Sequence, residues 1–169
     1  MIYRKFNVKY MLSIITCLFV LMHVPVTDCT SYTPPPSVYV SGTGNGDFNC
    51  GSTNADVQIN QALQFVANNP GYTTVYLRGP FTYTISKSLL IGSNTILTGD
   101  STATVKLTNN AGWGKTTPLI TAPVSAHDIT ICGFKVDGNS NGNTNVNRGA
   151  DYYNILWFKG VNNIDVHNM

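Results

Sequence analysis

Glutamate is absent from this 169-residue sequence, and charged residues make up only 11% of it. Helical bundles and coiled coils carry many Glu, Lys and Arg residues on their exposed faces, so this composition argues against them. Asn and Gly are abundant instead, and both are typical of turns between short strands. The composition therefore predicts an all-β chain with many turns.

The sequence also lacks an apolar segment of the roughly 17 to 25 residues that a membrane-spanning helix needs. Its longest apolar run covers only residues 11–22 and follows Arg4, Lys5 and Lys9, which is the order found in a signal peptide. We expect residues 1–29 to be a cleaved signal peptide and the mature protein to be secreted or held at the cell surface, with no stable membrane span. A permanent membrane anchor is the weaker alternative.

A charge excess of one sign is missing from the mature chain. The whole sequence has ten basic and eight acidic residues, and residues 1–29 contain three and one of these, so seven of each remain. Proteins that bind nucleic acid or anionic membranes usually have a basic surface. Nucleic acid is therefore not an expected partner.

Cysteine is scarce, since only Cys50 and Cys132 follow the expected signal peptide. In an oxidising compartment they can form a disulfide, or both can remain free thiols, and the sequence leaves both alternatives open. No Cys and His spacing is typical of a zinc site, so no metal site is predicted from the residues.

The mature chain is expected to be one domain, residues 38–169, after a Pro-rich linker at residues 30–37. Apolar residues with helical spacing predict a single amphipathic helix over residues 55–68, with Thr53 or Asn54 as its N-cap. The Gly-rich and Asn-rich segment 42–54 predicts turns only.

Short apolar runs between turns predict strands. One of them covers residues 155–158, and alternation there leaves open whether Trp157 or its neighbours face the core. Three other runs form a weak repeat that begins at Asn94, Asp128 and Asn163, with steps of 34 and 35 residues. Gly99 and Gly133 mark a common corner of this repeat. Such a period is typical of a solenoid in which each coil covers its neighbour. We expect a parallel β-helix, with the amphipathic helix as its N-terminal cap. Because the chain ends at Met169 within the repeat, we expect a C-terminally truncated domain. A β-sandwich is the alternative fold.

The order of features from Tyr39 to Met169 resembles the pectate-lyase-like superfamily of right-handed parallel β-helices, and more narrowly the disaggregatase-type surface proteins of archaea. The residues that carry the resemblance are YVSGTGNGDFNC, DVQINQALQFVANNPGYTTVYLRGPFTY, LLIGSNTILTGD and HDITICGFKVDGN. The resemblance implies a right-handed coil, a polysaccharide or cell-envelope glycan as partner, and Ca²⁺ as a possible cofactor.

Groups suited to polysaccharide cleavage are densest near the C-terminus. A lyase needs a base, and a hydrolase needs paired carboxylates about 5 to 9.5 Å apart. The candidates for catalysis are Asp137, Arg148, Asp151, Lys159, Asp165 and His167. The candidates for stacking on sugar rings are Tyr152, Tyr153 and Trp157. Turn formation by Asp137 and a surface ion pair between Arg148 and Asp151 are the simpler interpretations of those residues.

Two functions remain open from the sequence. The first is a polysaccharide lyase or glycoside hydrolase, of which this fragment alone is expected to be inactive. The second is a noncatalytic structural or adhesive surface module. We prefer an exported protein associated with polysaccharide.

Overall fold

The computed structural model describes residues 36–114, 117–144 and 154–169. The predicted signal peptide and most of the predicted linker lie outside these residues. The elements in chain order are β1 Ser37–Ser41, β2 Phe48–Asn49, α1 Asp56–Asn68, β3 Thr74–Leu77, β4 Phe81–Ile85, β5 Leu89–Leu90, β6 Thr95–Gly99, β7 Ala103–Leu107, β8 Ile120–Thr121, β9 His127–Cys132, β10 Lys135–Asp137 and β11 Asn162–His167.

The strands form three parallel sheets. The main sheet has six strands in the order β11-β9-β6-β3-β1-β2, the second has the order β10-β7-β4, and the third pairs β5 with β8. A single bridge between Ile120 and Leu156 continues the third sheet by one residue. Parallel neighbours need a crossover connection, and here other strands or the helix supply it.

The repeat predicted from the sequence is confirmed as strand register within the main sheet. Thr95 pairs with Ile129, and Ile129 pairs with Ile164. The next inward position follows the same rule, with Leu97, Ile131 and Val166 in one row. The register is specified strongly because a shift by one residue would turn every apolar side chain of a strand to the outer face.

The predicted fold class, an all-β right-handed parallel β-helix, is wrong. Strand pairing in the described part of the chain gives three separate parallel sheets, with one α-helix beside them. The helix contributes four apolar side chains to the core, so the class is not all-β. The prediction failed because a repeat of 34 and 35 residues determines pairing only within one sheet, not how the other segments are joined.

The core lies between the inner faces of the sheets and the helix. Val75, Leu97 and Ile131 occupy one row of the main sheet and have no exposed side-chain surface. The largest fully buried side chains are Tyr83, from β4 of the second sheet, and Phe134, from the turn between β9 and β10. Burial of each aliphatic side chain contributes about 1.5–3 kcal/mol, so these rows hold the sheets together.

Helix α1 begins one residue later than predicted and has a different cap. Its N-cap is Ala55, which has no side-chain hydrogen bond, so the prediction of Thr53 or Asn54 is wrong. Buried Asp56 instead accepts a 2.7 Å hydrogen bond from the backbone N–H of Ser86. The start of the helix is thereby joined to the chain after β4 rather than closed by its own cap.

Two other local predictions are corrected. Residues 48–49 were expected in a turn, but they pair with Val40 and Ser41 as strand β2. Residues 155–158 were expected in a strand, but they form only the bridge at Leu156. None of the helices formed by the described residues is long and apolar enough to cross a membrane.

Candidate functional site

A cleft of about 500 Å³ lies on the outer side of the main sheet where β1 and β3 end. We call it the Tyr39 cleft. Its lining residues are Tyr39, Ser41, Gly42, Thr43, Asn45, Tyr76, Arg78, Gly79, Pro80, Phe81 and Asp100.

Strand register places two tyrosines side by side in this cleft. Tyr39 of β1 is the direct partner of Tyr76 of β3, and their neighbours Val38, Val40 and Val75 point into the core. Because side chains alternate along a strand, both tyrosines must point outward. Their ring centroids are 5.7 Å apart, and Tyr39 is 37% exposed, so an aromatic surface is open to a ligand.

Arg78 lies two residues after Tyr76 and therefore on the same face. Its guanidinium carbon is 4.5 Å from the centre of the Tyr39 ring, which is a cation–π contact. Its side chain is half-buried. Arg78 forms no salt bridge with any residue in the described ranges, so its donors are available to an external anion.

Asp100 organises the floor of the cleft. One of its carboxylate oxygens accepts a 2.6 Å hydrogen bond from the Tyr76 hydroxyl, and the other accepts one of 2.6 Å from the Gly79 N–H. The Gly79 N–H, then the Tyr76 hydroxyl, and also the nearby positive charge of Arg78 lower the pKa of Asp100. The hydrogen bond from the Tyr76 hydroxyl to Asp100 also raises the pKa of Tyr76. Asp100 thus remains ionised and holds Tyr76 in place.

The turn after β1 forms the polar end of the cleft. Its side chains bond to one another: the Ser41 hydroxyl donates to Asn45 Oδ1 at 2.5 Å, and the Thr43 hydroxyl donates to the same oxygen at 3.0 Å. Thr43 and Asn45 are exposed, while Ser41 is buried. The turn therefore presents hydroxyl and amide groups in a fixed arrangement, suited to ligand hydroxyls.

The candidates chosen from the sequence do not meet in one site. Asp137 lies on β10 and forms a 3.0 Å ion pair with Lys106. Asp165 and His167 lie on β11 of the main sheet, with 3.6 Å between His167 Nε2 and Asp165 Oδ2. No hydrogen bond or ion pair within the described ranges joins these two places. Arg148, Asp151, Tyr152 and Tyr153 lie outside the described residues.

Trp157 is exposed, which answers a question that alternation alone left open. Its exposed fraction is 40%, while Leu156 and Phe158 on the other side pack against the core. Trp157 and Lys159 border a shallow pocket of about 250 Å³. A single exposed indole in an open depression offers less for recognition than the Tyr39 cleft.

Both cysteines are free thiols, so the possible disulfide is not formed. Cys50 is buried beside the start of α1, and burial, followed by the charge of Asp56, raises its thiol pKa to about 11. Cys132 lies on the outer face of β9 and donates to the Thr98 hydroxyl. Cys50 directly follows β2 and Cys132 ends β9. These two strands are four intervals apart in the main sheet, about 19 Å, far beyond disulfide reach.

Calcium, which the family resemblance implies, finds no suitable ligands here. Within residues 36–114, 117–144 and 154–169, no three or more His, Cys, Asp or Glu side chains come together as metal ligands. Both oxygens of Asp100 already accept hydrogen bonds from the protein. The described residues therefore do not fit a Ca²⁺ site.

Sequence analysis did not find the Tyr39 cleft. A usable signal was present, because SVYV at residues 37–40 and TVYL at residues 74–77 share an outward tyrosine between inward aliphatic residues. Recognising their contact requires the pairing of β1 with β3, since the two tyrosines are 37 positions apart.

No family model, curated protein or solved structure matches this chain. The resemblance to the pectate-lyase-like superfamily stays a prediction.

Proposed function

We propose that this is an exported or cell-surface protein that binds an acidic polysaccharide in the Tyr39 cleft. The observation that carries the proposal is the guanidinium of Arg78, free of any carboxylate partner in the described chain and held 4.5 Å from the ring of Tyr39. A cation beside an exposed aromatic ring suits a ligand with a sugar ring and a negative charge.

The aromatic part of the cleft accounts for the sugar ring. One face of a pyranose carries C–H groups with small positive partial charges, which are attracted to the negative face of an aromatic ring. Tyr39 offers such a face, and its contact with Tyr76 limits the positions the ring can adopt. Little side-chain entropy is then lost when a sugar stacks on it.

Arg78 accounts for the negative charge. A guanidinium can bind a carboxylate through two parallel hydrogen bonds, which are stronger than those between neutral groups. The guanidinium carbon is 4.5 Å from the centre of the Tyr39 ring, and Asp100 hydrogen-bonds Tyr76 and Gly79 rather than forming a salt bridge with Arg78. The polar turn carrying Thr43 and Asn45 is available for sugar hydroxyls.

Binding is proposed rather than cleavage. Asp100 is the one carboxylate among the described residues that line the cleft. Hydrolysis of a glycosidic bond normally requires two, one of which must be able to give up a proton. Asp100 has a lowered pKa and is occupied by Tyr76 and Gly79, so it serves as a support.

Export is part of the proposal and rests on the predicted signal peptide at residues 1–29. A protein delivered outside the cell meets cell-envelope glycans, which often carry carboxylates. The sequence and the cleft thus point to the same class of partner.

Affinity electrophoresis tests the proposal. The protein is run in native gels that contain either a polyuronate or a neutral glucan, and its retardation gives the affinity. We expect the polyuronate alone to retard the protein and Arg78→Gln to weaken this about tenfold or more, since a charge-assisted hydrogen bond contributes about 1.5–3 kcal/mol.

Lys135→Gln is the matched control. It removes the same charge from an exposed position on β10, in a different sheet from the cleft. Its retardation should equal that of the parent protein. Equal losses in the two variants would mean that net charge alone causes retardation, and no retardation of the parent protein would refute the proposal.

A further inference from the structure

The side-chain amide of Asn45 has hydrogen-bond donors available to a ligand in the Tyr39 cleft. Its Oδ1 accepts from the hydroxyls of Ser41, at 2.5 Å, and Thr43, at 3.0 Å, which occupies both lone pairs. Its Nδ2 carries two N–H donors, and no residue of the described ranges accepts from them. Asn45 is exposed and lines the cleft. The ligand group that matches this amide is therefore a hydrogen-bond acceptor.

Buried Ser41 fixes the position of this amide relative to Arg78. Val40 pairs with Leu77, so the residues that follow them, Ser41 and Arg78, lie at neighbouring positions of β1 and of the chain after β3. Because Ser41 also holds Asn45 by its hydroxyl, the amide is attached to the strand position beside the guanidinium. A ligand whose carboxylate binds Arg78 thus brings its neighbouring groups to Asn45.

The acceptor that meets Asn45 should be uncharged. Arg78 is the one cation among the described residues that line the cleft, so a second ligand carboxylate would be desolvated without a counter-charge. A sugar hydroxyl is a poorer match than a carbonyl, because it also needs an acceptor and the nearest one, Asn45 Oδ1, is occupied. The exposed hydroxyl of Thr43 is better placed to accept from sugar hydroxyls.

An apolar surface lies beside the turn that carries Asn45. A Cβ atom at Gly42 would overlap the ring of Phe81, so this ring packs directly against the backbone of the turn. An edge contact with Tyr83, at 4.9 Å between ring centroids, holds the ring from the other side. Phe81 is half-buried, Pro80 is exposed, and both line the cleft. A small apolar group of a ligand can contact them without entering the core.

We propose that Asn45, Phe81 and Pro80 form a subsite for an acetyl group of the acidic polysaccharide. The acetyl carbonyl accepts from Asn45 Nδ2, and the acetyl methyl group leaves water against Phe81 and Pro80. The inference rests on the proposed binding of an acidic polysaccharide in the Tyr39 cleft and specifies which members of that class bind best. Glycans carry acetyl groups as O-acetyl esters and as N-acetyl amides, which present the same carbonyl and methyl group.

Titration calorimetry of the parent protein with two forms of one ligand tests the subsite. The first is a partly O-acetylated oligogalacturonate without methyl esters, and the second is the same sample after deacetylation by mild alkali. Both carry the same carboxylates, so the difference in affinity measures the effect of the acetyl groups. We expect the acetylated form to bind about fivefold more tightly, which is the scale of one neutral hydrogen bond.

Asn45→Asp tests the donor. The variant keeps an oxygen for the hydroxyls of Ser41 and Thr43 but replaces the NH₂ group by a second oxygen, which cannot donate. We expect the preference for the acetylated form to fall to about a factor of two or less. Asn110→Asp is the matched control, because it adds the same charge at an exposed position outside the cleft and should retain the full preference. Circular dichroism checks that both variants are folded.

A hyaluronan oligosaccharide, in which glucuronate alternates with N-acetylglucosamine, distinguishes the two sources of the acetyl group. Its affinity is compared between Asn45→Asp and Asn110→Asp. A lower affinity of Asn45→Asp identifies the N-acetyl amide as an occupant of the subsite. Dependence on Asn45 with the acetylated oligogalacturonate alone identifies the O-acetyl ester, and both outcomes support the subsite.

Failure of the subsite differs from failure of the proposed function. If the parent protein binds the acetylated and deacetylated oligogalacturonates equally, or if its preference survives Asn45→Asp, the acetyl subsite is refuted while binding of acidic polysaccharide stands. If neither form nor hyaluronan binds, the proposed function is refuted and the subsite with it.

Discussion

At the residue scale, the geometry of the cleft depends on a few residues that hold one another in place. Asp100 fixes Tyr76 and Gly79 through two 2.6 Å hydrogen bonds, and Tyr76 contacts the ring of Tyr39. The ring of Tyr39 in turn packs against the guanidinium of Arg78. Because each residue positions the next, the aromatic surface and the cation are pre-organised before any ligand binds, which lowers the entropy cost of binding.

The exposed ring of Tyr39 should be required for glycan binding, and its hydroxyl should not. No hydrogen bond from this hydroxyl to a residue of the described ranges is present. Tyr39→Ala removes the stacking surface, and we expect polyuronate affinity to fall about tenfold, as aromatic contacts contribute about 0.5–1.5 kcal/mol beyond buried area. Tyr39→Phe should bind within a factor of two of the parent protein. Titration calorimetry measures both; equal affinities of the Ala and Phe variants would exclude stacking.

Because the pKa of Asp100 is lowered, the stability of the fold should depend on pH. Asp100 has its lowered pKa in the folded state, so its contribution is fully present above the ordinary aspartate pKa of about 3.9 and is lost as the pH falls through the lowered value. We expect the melting temperature to decrease between pH 5 and pH 2, and Asp100→Asn to be less stable at pH 7 with a smaller decrease in acid. Thermal unfolding followed by circular dichroism measures this. An unchanged profile in Asp100→Asn would contradict the assignment.

At the scale of elements, the close stacking of parallel strands requires glycine at one turn. Gly133 follows β9 with φ of +85°, and a Cβ atom there would lie 2.8 Å from the carbonyl oxygen of Gly99. A Cβ at Gly99 would lie 2.7 Å from the carbonyl oxygen of Leu77. The sequence comparison that aligned Gly99 and Gly133 at one corner is confirmed by these contacts, since the backbones approach too closely for a side chain.

Gly133→Ala should destabilise the fold by about 1–3 kcal/mol, because a non-glycine residue at this φ is strained and the added Cβ meets backbone. Urea unfolding at pH 7 gives the free energy of unfolding. Gly71→Ala is the matched control, as a Cβ at Gly71 meets no atom within 4 Å. The control should stay within about 0.5 kcal/mol of the parent protein. A similar small effect at Gly133 would show that the turn can relax.

At the scale of the whole molecule, the sequence predicted what depends on local pattern and missed what depends on assembly. Short apolar runs between turns predicted strands at the positions of β3 to β8 and β11, and one run across β9 and β10. They also predicted the register at Ile129 and Ile131, because burial of one face leaves a period of two. The division into three sheets did not follow from that period. The search for a site followed the density of charged residues near Asp165, whereas the cleft joins Tyr39 and Tyr76 from distant parts of the chain.

The proposed binding of an acidic polysaccharide depends most on recognition of a carboxylate by Arg78 beside an aromatic ring. Calorimetric titration of the parent protein with an oligouronate, and with the same oligosaccharide methyl-esterified, tests this most directly, because the ester lacks the negative charge and adds only a methyl group to each carboxyl. We expect the free acid to bind at least tenfold more tightly than the ester and Arg78→Gln to remove this difference. Equal affinity for acid and ester, or a preference for the acid that survives Arg78→Gln, would contradict it.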